Sequence, residues 1–178
     1  MKIYFVRHGE SEENVKKIIY TYSEGALTKK GIKQAEETRE SIPQDYDEIY
    51  SSDSNRCRQT AEILNNKLNL PITYDARLRE RDFGSLQGKK WEDVENWEYL
   101  KKRDIMQQEY DYRPFGGESV EEVKERLLSF IEEIRQKNKK VLVVTSAGII
   151  RLLHHLFKGK VPEKIHHASI HEFDFPDK

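Results

Sequence analysis

The chain has 178 residues, with 31 lysines and arginines against 32 aspartates and glutamates for a formal charge of −1, and this length suits one domain, 1–178, whose core needs no staples. The basic residues are scattered, so nucleic acid and anionic membrane have no electrostatic footprint, and no stretch approaches a membrane span or a secretory signal. The single cysteine, Cys57, excludes an intramolecular disulfide and fits a reducing compartment. The reading is therefore a cytoplasmic protein, monomer or homodimer, whose partner is a small molecule.

The chain opens with an unbroken apolar run, Ile3 to Val6, that leads straight into Arg7 and His8. A half-exposed strand would alternate with polar residues, so this run predicts a strand covered on both faces, as in a parallel sheet. A polar loop follows through Gly25, and a helix begins at Leu27-Thr28 with Thr28 as its cap. Ile32, Ala35 and Thr38 share one face of that helix, Gly31 weakens its first turn, and Pro43 marks its end. Glu48 to Ser52 reads as a second strand, Asn55 to Lys67 as a helix burying Ala61, Ile63 and Leu64, and Ile72 to Tyr74 as a third strand started by Pro71.

The segment 84–117, which holds Trp91, Val94, Trp97, Tyr99 and Leu100 among many charges, differs in composition and reads as a small helical lid insertion. Ser119 and Glu122 form a capping box ahead of the helical stripe Val120, Val123, Leu127, Ile131 and Ile134. Val141 to Val144 is a second continuous apolar strand, followed by the turn Thr145-Ser146-Ala147-Gly148 and a helix through Phe157. Alternation from Ile170 to Phe175 predicts a final edge strand.

Strands alternating with helices define an α/β fold, a three-layer sandwich with a mostly parallel central sheet and helices on both faces. Ligands of such sheets bind in the crevice beyond the carboxyl ends of the strands. Four loops should meet there, carrying Arg7 and His8, Ser51 to Arg56, Leu78-Arg79-Glu80, and Thr145 to Gly148. An arginine offers a planar fork of donors to a phosphate, and a neutral imidazole offers a ring nitrogen able to attack phosphorus.

Competing chemistries fail locally. Cys57 lies between Arg56 and Arg58, but a cysteine phosphatase needs an arginine where this chain has Ile63. Asp45-Tyr46-Asp47 precedes an apolar strand where an aspartate nucleophile would follow one, and Gly84 and Gly88-Lys89 lack the spacing of a nucleotide P-loop. His167 and His171, four apart, would share one side of a strand, yet no Cys, Asp or Glu at supporting spacing completes a metal site. They read as polar surface or loop packing.

With these residues in place, the chain resembles the histidine phosphatase superfamily, which includes the cofactor-dependent phosphoglycerate mutases. The resemblance rests on Arg7-His8-Gly9-Glu10-Ser11 with Asn14, Leu27-Thr28 with Gly31 and Gln34-Ala35, and Ser51-Ser52 with Arg56 and Gln59-Thr60-Ala61. It continues through Leu78-Arg79-Glu80 with Phe83-Gly84 and Gly88, and Gly117-Glu118-Ser119, and so spans nearly the whole chain in order. It implies His8 as the nucleophile that becomes a phosphohistidine, its other nitrogen held by a backbone carbonyl. It implies Arg7 and Arg56 as clamps on the phosphoryl oxygens, Asn14 as a further phosphate ligand, and Glu80 as the acid and base, with a carboxyl pKa raised by burial or by bound phosphate. No metal and no other cofactor is implied.

One departure stands out. Ser146 occupies the position where the family carries a second histidine followed by glycine or alanine and glycine. The missing imidazole would give phosphate a charged hydrogen bond worth about 1.5 to 3 kcal/mol, or roughly 10-fold to 150-fold in rate if realised only in the transition state. His154 and His155 do not replace it, since the helical rise carries them roughly 12 Å beyond Ser146. Phosphate binding through Ser146 should therefore survive better than turnover.

The expected activity is metal-independent hydrolysis of small phosphate monoesters, impaired by Ser146. The alternatives are a phosphoglycerate mutase, supported by Arg81 beside Glu80, and a weakened phospholigand-binding protein. Lys89, Lys90, Lys101, Lys102, Arg103 and Arg113 of the lid are candidates to meet a second anionic group of the substrate, and Trp91 and Trp97 are candidates for a dimer contact.

Overall fold

The computed structural model describes residues 1–21, 25–104 and 108–175. Five strands, β1 (Lys2–Arg7), β2 (Glu48–Ser51), β3 (Ile72–Tyr74), β4 (Val141–Thr145) and β5 (Ile170–Asp174), form one sheet in the order β3-β2-β4-β1-β5. All pairs are parallel except β1 with β5, which run antiparallel at the edge. The parallel register aligns Arg7 with Thr145 and Ser51 with both Val144 and Tyr74, so the carboxyl ends of β1 to β4 open along one edge.

Successive side chains of a strand point to opposite faces, and here each face has its own core. Ile3 and Phe5 of β1 and Val141 and Val143 of β4 pack with Val123, Leu127, Phe130 and Ile134 of α5 (Val120–Arg135) and Ile149, Ile150 and Leu153 of α6 (Ala147–Lys158). Val6, Ile49, Leu142 and Val144 pack on the other face with Cys57, Ala61, Leu64 and Leu68 of α3 (Asn55–Leu68). α2 (Lys29–Ser41) leans on α3. The apolar runs of β1 and β4 are continuous because both faces are covered. The Ser119–Glu122 capping box and the Thr28 cap both form, the latter accepting from Gly31 N–H.

Several local expectations are corrected. The polar loop after β1 contains a short helix, α1 (Glu12–Lys16), started by a Ser11–Asn14 capping box. Of the face expected for α2, Ala35 is buried and Thr38 half-buried, but Ile32 is exposed and Gly31 is buried in its place. Ile63 is only half-buried, while α3 buries Arg56, Cys57 and Thr60 on the side facing the sheet. Gly31 is less a weak point than a requirement, since a β-carbon there would stand 2.0 Å from the Glu10 carbonyl oxygen. The described part of segment 84–117 is mostly short 3-10 turns, with one six-residue helix, α4 (Trp97–Lys102).

Candidate active site

His8 is fully buried just past the end of β1, where its N–H continues the ladder to the Thr145 carbonyl at 3.0 Å. Nδ1 lies 2.7 Å from the Gly9 carbonyl oxygen, which makes it the protonated nitrogen. Nε2 therefore carries the lone pair, and it is buried with no partner among the described residues. Burial, with the neighbouring Arg56 and Arg7 guanidinium groups, pushes the ring well below its ordinary pKa and keeps it neutral. Gly9 next door donates to Thr60 Oγ1 at 3.1 Å and abuts the Gly31 carbonyl, so the loop is clamped between α2 and α3.

Arg56 is fully buried in the first turn of α3. Its Nη1 donates to Glu13 Oε2 at 3.2 Å and to the Thr21 carbonyl at 2.8 Å, while Nε and Nη2 have no partner among the described residues. The guanidinium stacks 4.3 Å from the Tyr20 ring centroid. Arg7 is held by the Ile165 carbonyl through Nη1, and its Nε is likewise buried and unpaired. Buried guanidinium N–H groups left unpaired beside an unpaired imidazole nitrogen form a pocket complementary to an oxyanion.

Glu80, only 2 % exposed, is the nearby carboxylate. Oε1 accepts from Arg81 N–H at 3.0 Å and from Arg81 Nη1 at 3.2 Å, and Oε2 accepts from Gly148 N–H at 2.9 Å in the first turn of α6. Burial acts to raise its pKa, but the Arg81 charge, the two backbone N–H groups and Arg56 outweigh it and hold the carboxyl below its ordinary value. The raised pKa expected from the sequence is thus not found in the free site. Arg81 in turn pairs with buried Asp104, which also accepts from Tyr112 Oη at 2.8 Å. Thr145 Oγ1 donates to the Leu78 carbonyl at 2.7 Å, tying this loop to the end of β4.

Ser146 is buried at the cap of α6, where its hydroxyl lies beside the Cys57 thiol and makes no bond to nitrogen or oxygen among the described residues. Cys57 is free and buried, and burial pushes its thiol up, which removes it as a nucleophile. Asn14 is engaged in the α1 cap: its Oδ1 accepts from Ser11 N–H at 2.9 Å and from His167 Nε2 at 3.1 Å, and its Nδ2 donates to Tyr20 Oη at 2.9 Å. Only one Nδ2 hydrogen remains for a ligand.

The structure thus brings Arg7, His8, Arg56, Glu80 and Ser146 to one place, with Asn14 at its rim. It also brings residues that the sequence reading missed. Arg126 of α5 donates to the carbonyls of Arg77, Arg79 and Glu80 and pairs with Glu118 at 2.8 Å, bracing the Glu80 loop. In the sequence it is one more charge on the flank of the apolar stripe of α5, with nothing to set it apart.

Arg151 lines a cavity of about 90 Å³ beside Glu80, together with Tyr20, Trp91, Lys101 and Asp104. Of the six lid cations, Lys101 reaches this cavity, whereas Lys90, Arg103 and Arg113 pair with Glu92, Glu109 and Asp111. Trp91 packs edge-on against Phe83 at 5.5 Å and Trp97 lies under Lys101, so both rings have contacts within the chain.

Of the two expectations for His167, polar surface or loop packing, the second holds, and the loop packs its ring beside the site, with its centroid 6.2 Å from that of His8. His171 bonds instead to His154 and Ser169, so the two histidines do not converge on a metal. Among the described residues no group of three or more His, Cys, Asp or Glu is placed to hold a metal, and no helix is long and apolar enough to cross a membrane.

Comparison with known proteins agrees with this geometry. The sequence profile of the histidine phosphatase superfamily (branch 1) matches residues 3–177. A probable phosphoglycerate mutase, GpmB, of Salmonella paratyphi A is 34 % identical over 147 residues, covering 80 % of this chain and 68 % of that protein. The crystal structure of TTHB049 from Thermus thermophilus superposes with a TM-score of 0.79 at 28 % identity, covering 99 % of this chain and 95 % of the other. A mycobacterial glucosyl-3-phosphoglycerate phosphatase complexed with VO3 shares the fold, with a TM-score of 0.81 at 24 % identity over 96 % of this chain and 91 % of the other.

Proposed function

The chain belongs to the histidine phosphatase superfamily, branch 1, and on that premise we propose that it hydrolyses phosphate monoesters of small metabolites through a phosphohistidine on His8. The observation that carries this reading is the His8 ring, neutral, oriented by Gly9 and with a buried, unpaired Nε2 among guanidinium groups. Leaving such a nitrogen and three guanidinium donor atoms unpaired is unfavourable unless a ligand completes them.

In this reaction Nε2 attacks phosphorus, forming the N–P bond as the ester P–O bond breaks, and Glu80 gives its proton to the departing alkoxide. Water then attacks phosphorus, Glu80 takes the water's proton, and the N–P bond breaks to release inorganic phosphate. Arg7 and Arg56 stabilise the equatorial oxygens throughout. Asn14 and Ser146 add neutral contacts, and Ser146, bringing no charge, slows turnover.

Glu80 stands ionised in the free site, so its proton must be taken up with the substrate, whose dianion raises the carboxyl pKa. The value of kcat/KM then rises as pH falls from neutrality, until His8 itself protonates. In this reading segment 84–117 acts as the lid, and Trp91 and Lys101, which line the cavity beside Glu80, are the residues proposed to meet the leaving group.

The likeness to a probable phosphoglycerate mutase favours a second reading, in which the same phosphohistidine passes its phosphoryl group to a hydroxyl of phosphoglycerate instead of water. A panel of phosphate monoesters, phosphoglycerate included, assayed with chelator present and with His8→Ala as control, separates the two. Hydrolysis predicts chelator-insensitive release of inorganic phosphate that disappears in His8→Ala. Exchange between phosphoglycerate positions without release would establish the mutase, and phosphate binding without either reaction would leave a phospholigand-binding protein.

A further inference from the structure

Both guanidinium groups facing His8 are partly committed to the protein, Arg7 to the Ile165 carbonyl and Arg56 to Glu13 and the Thr21 carbonyl. At the end of β4, Ser146 contributes only a neutral hydroxyl turned toward Cys57. A further side chain able to become cationic stands against the His8 ring, and it arrives from the opposite end of the chain. It is His167, 6.2 Å from His8 between ring centroids, with the ring planes inclined at 52°.

The segment that carries His167 is built into the site. Ala168 N–H donates to the His8 carbonyl at 3.3 Å, Arg7 N–H donates to the Ser169 carbonyl at 3.1 Å, and Thr38 Oγ1 donates to the Ala168 carbonyl at 2.9 Å. Ala168 is held at φ 55°, a left-handed conformation that a residue with a β-carbon adopts at a cost and keeps only when its surroundings over-determine it. The His167 ring is oriented by Asn14, whose Oδ1 can only accept, so Nε2 is the donor at 3.1 Å and Nδ1 is the atom left to take a proton.

We propose that His167 is a second imidazole of the phosphoryl site: its Nδ1 takes a proton from solvent when a phosphate dianion binds, and the imidazolium then pairs with the phosphoryl oxygens. This rests on the phosphatase reading above and deepens it. In the free site burial, Arg7, Lys30 and Lys164 disfavour the charged ring and Glu10 favours it, with His8 adjacent, so the ring is neutral. Glu10 is itself bound to Thr28 and Lys30. Two added negative charges reverse that balance. The charge missing at position 146 is thereby supplied from position 167.

Histidine side-chain NMR of the wild-type protein with and without saturating inorganic phosphate reads the ring directly, its signals assigned by comparison with His167→Asn. The asparagine amide can still donate to Asn14, which preserves the local bond. The His167 titration is expected to move up by more than about one pH unit with phosphate. His167→Asn is expected to lower kcat for p-nitrophenyl phosphate about tenfold. In a Ser146→His background the same substitution is expected to cost under about twofold, since the two imidazoles then share one task. A ring that titrates at the same pH with phosphate bound overturns this inference and leaves hydrolysis by His8 standing. A wild-type protein that neither binds phosphate nor hydrolyses the ester overturns both.

Discussion

Gly148 donates its backbone N–H to Glu80 Oε2 at 2.9 Å, and a β-carbon at position 148 would stand 2.2 Å from Glu80 Oε1 and 2.1 Å from Arg81 Nη1. A side chain at residue 148 would therefore force the Glu80 carboxylate and the Arg81 guanidinium to shift. The Gly148 N–H adds to the Arg81 charge and the Arg81 N–H, which together hold the carboxyl below its ordinary value against the effect of burial. Gly148→Ala should displace Glu80, lowering kcat by about tenfold or more and stability by about 1 to 3 kcal/mol, while phosphate affinity changes by under about twofold. Steady-state kinetics, urea unfolding and calorimetric phosphate titration check the three parts, and an unchanged kcat would show that Glu80 does not need this support.

Arg126 tests whether the Glu80 loop depends on α5. It holds the Arg77 carbonyl at 2.6 Å, the Arg79 carbonyl at 2.9 Å and the Glu80 carbonyl at 3.2 Å. Arg126→Met keeps much of the side-chain bulk but strands those acceptors and Glu118, at a cost of about 1.5 to 3 kcal/mol in urea unfolding. The kinetic loss should fall on kcat, because Arg7 and Arg56, the proposed phosphate clamps, take no part in these bonds.

Acid should destabilise the protein through its histidines. His167 and His171 titrate at about 4, mainly through burial, and His8 and His154 also lie below their ordinary value. In the unfolded chain these rings take up protons near pH 6.5. Between about pH 6.5 and 4 the unfolded state binds more protons than the native one, so stability present at neutrality is lost as pH falls through that window. The Tm should decline from pH 7 to 4.5, with a shallower slope in His171→Asn, and a flat Tm would contradict the buried neutral rings.

Lys101 and Arg151 both line the cavity beside Glu80, and Arg151 Nε has no partner among the described residues. Lys101→Met and Arg151→Met should each raise KM about tenfold for phosphate esters that carry a carboxylate, with under about twofold change for a neutral leaving group, on the worth of one charged hydrogen bond. Equal effects on both substrate types would assign these cations to folding instead.

Much of this arrangement was legible in the chain because it is local. The apolar runs Ile3 to Val6 and Val141 to Val144, the Thr28 cap and the Ser119–Glu122 box each act within a few residues, where side-chain alternation and capping chemistry decide the outcome. The placement of Arg7, His8, Arg56 and Glu80 on one side of the sheet was legible because the order of the elements predicts it, whereas the roles proposed for them came from the resemblance to the family. Ile32 misled because a helix face is chosen by its neighbour, and α3 with the Gly9 loop selected Gly31 and Ala35.

The amino-acid sequence by itself determined the α/β class, the order of strands and helices, and which four loops lie at the carboxyl ends of the parallel strands, since these follow from periodicity, capping and chain connectivity. Only the tertiary structure decided that Glu80 is ionised, that Arg126 and Gly148 hold it, and that His167 lies against His8. Those facts depend on groups 46, 68 and more than 150 residues apart. Burial and charge act through space, and no pattern within a short stretch of chain records them.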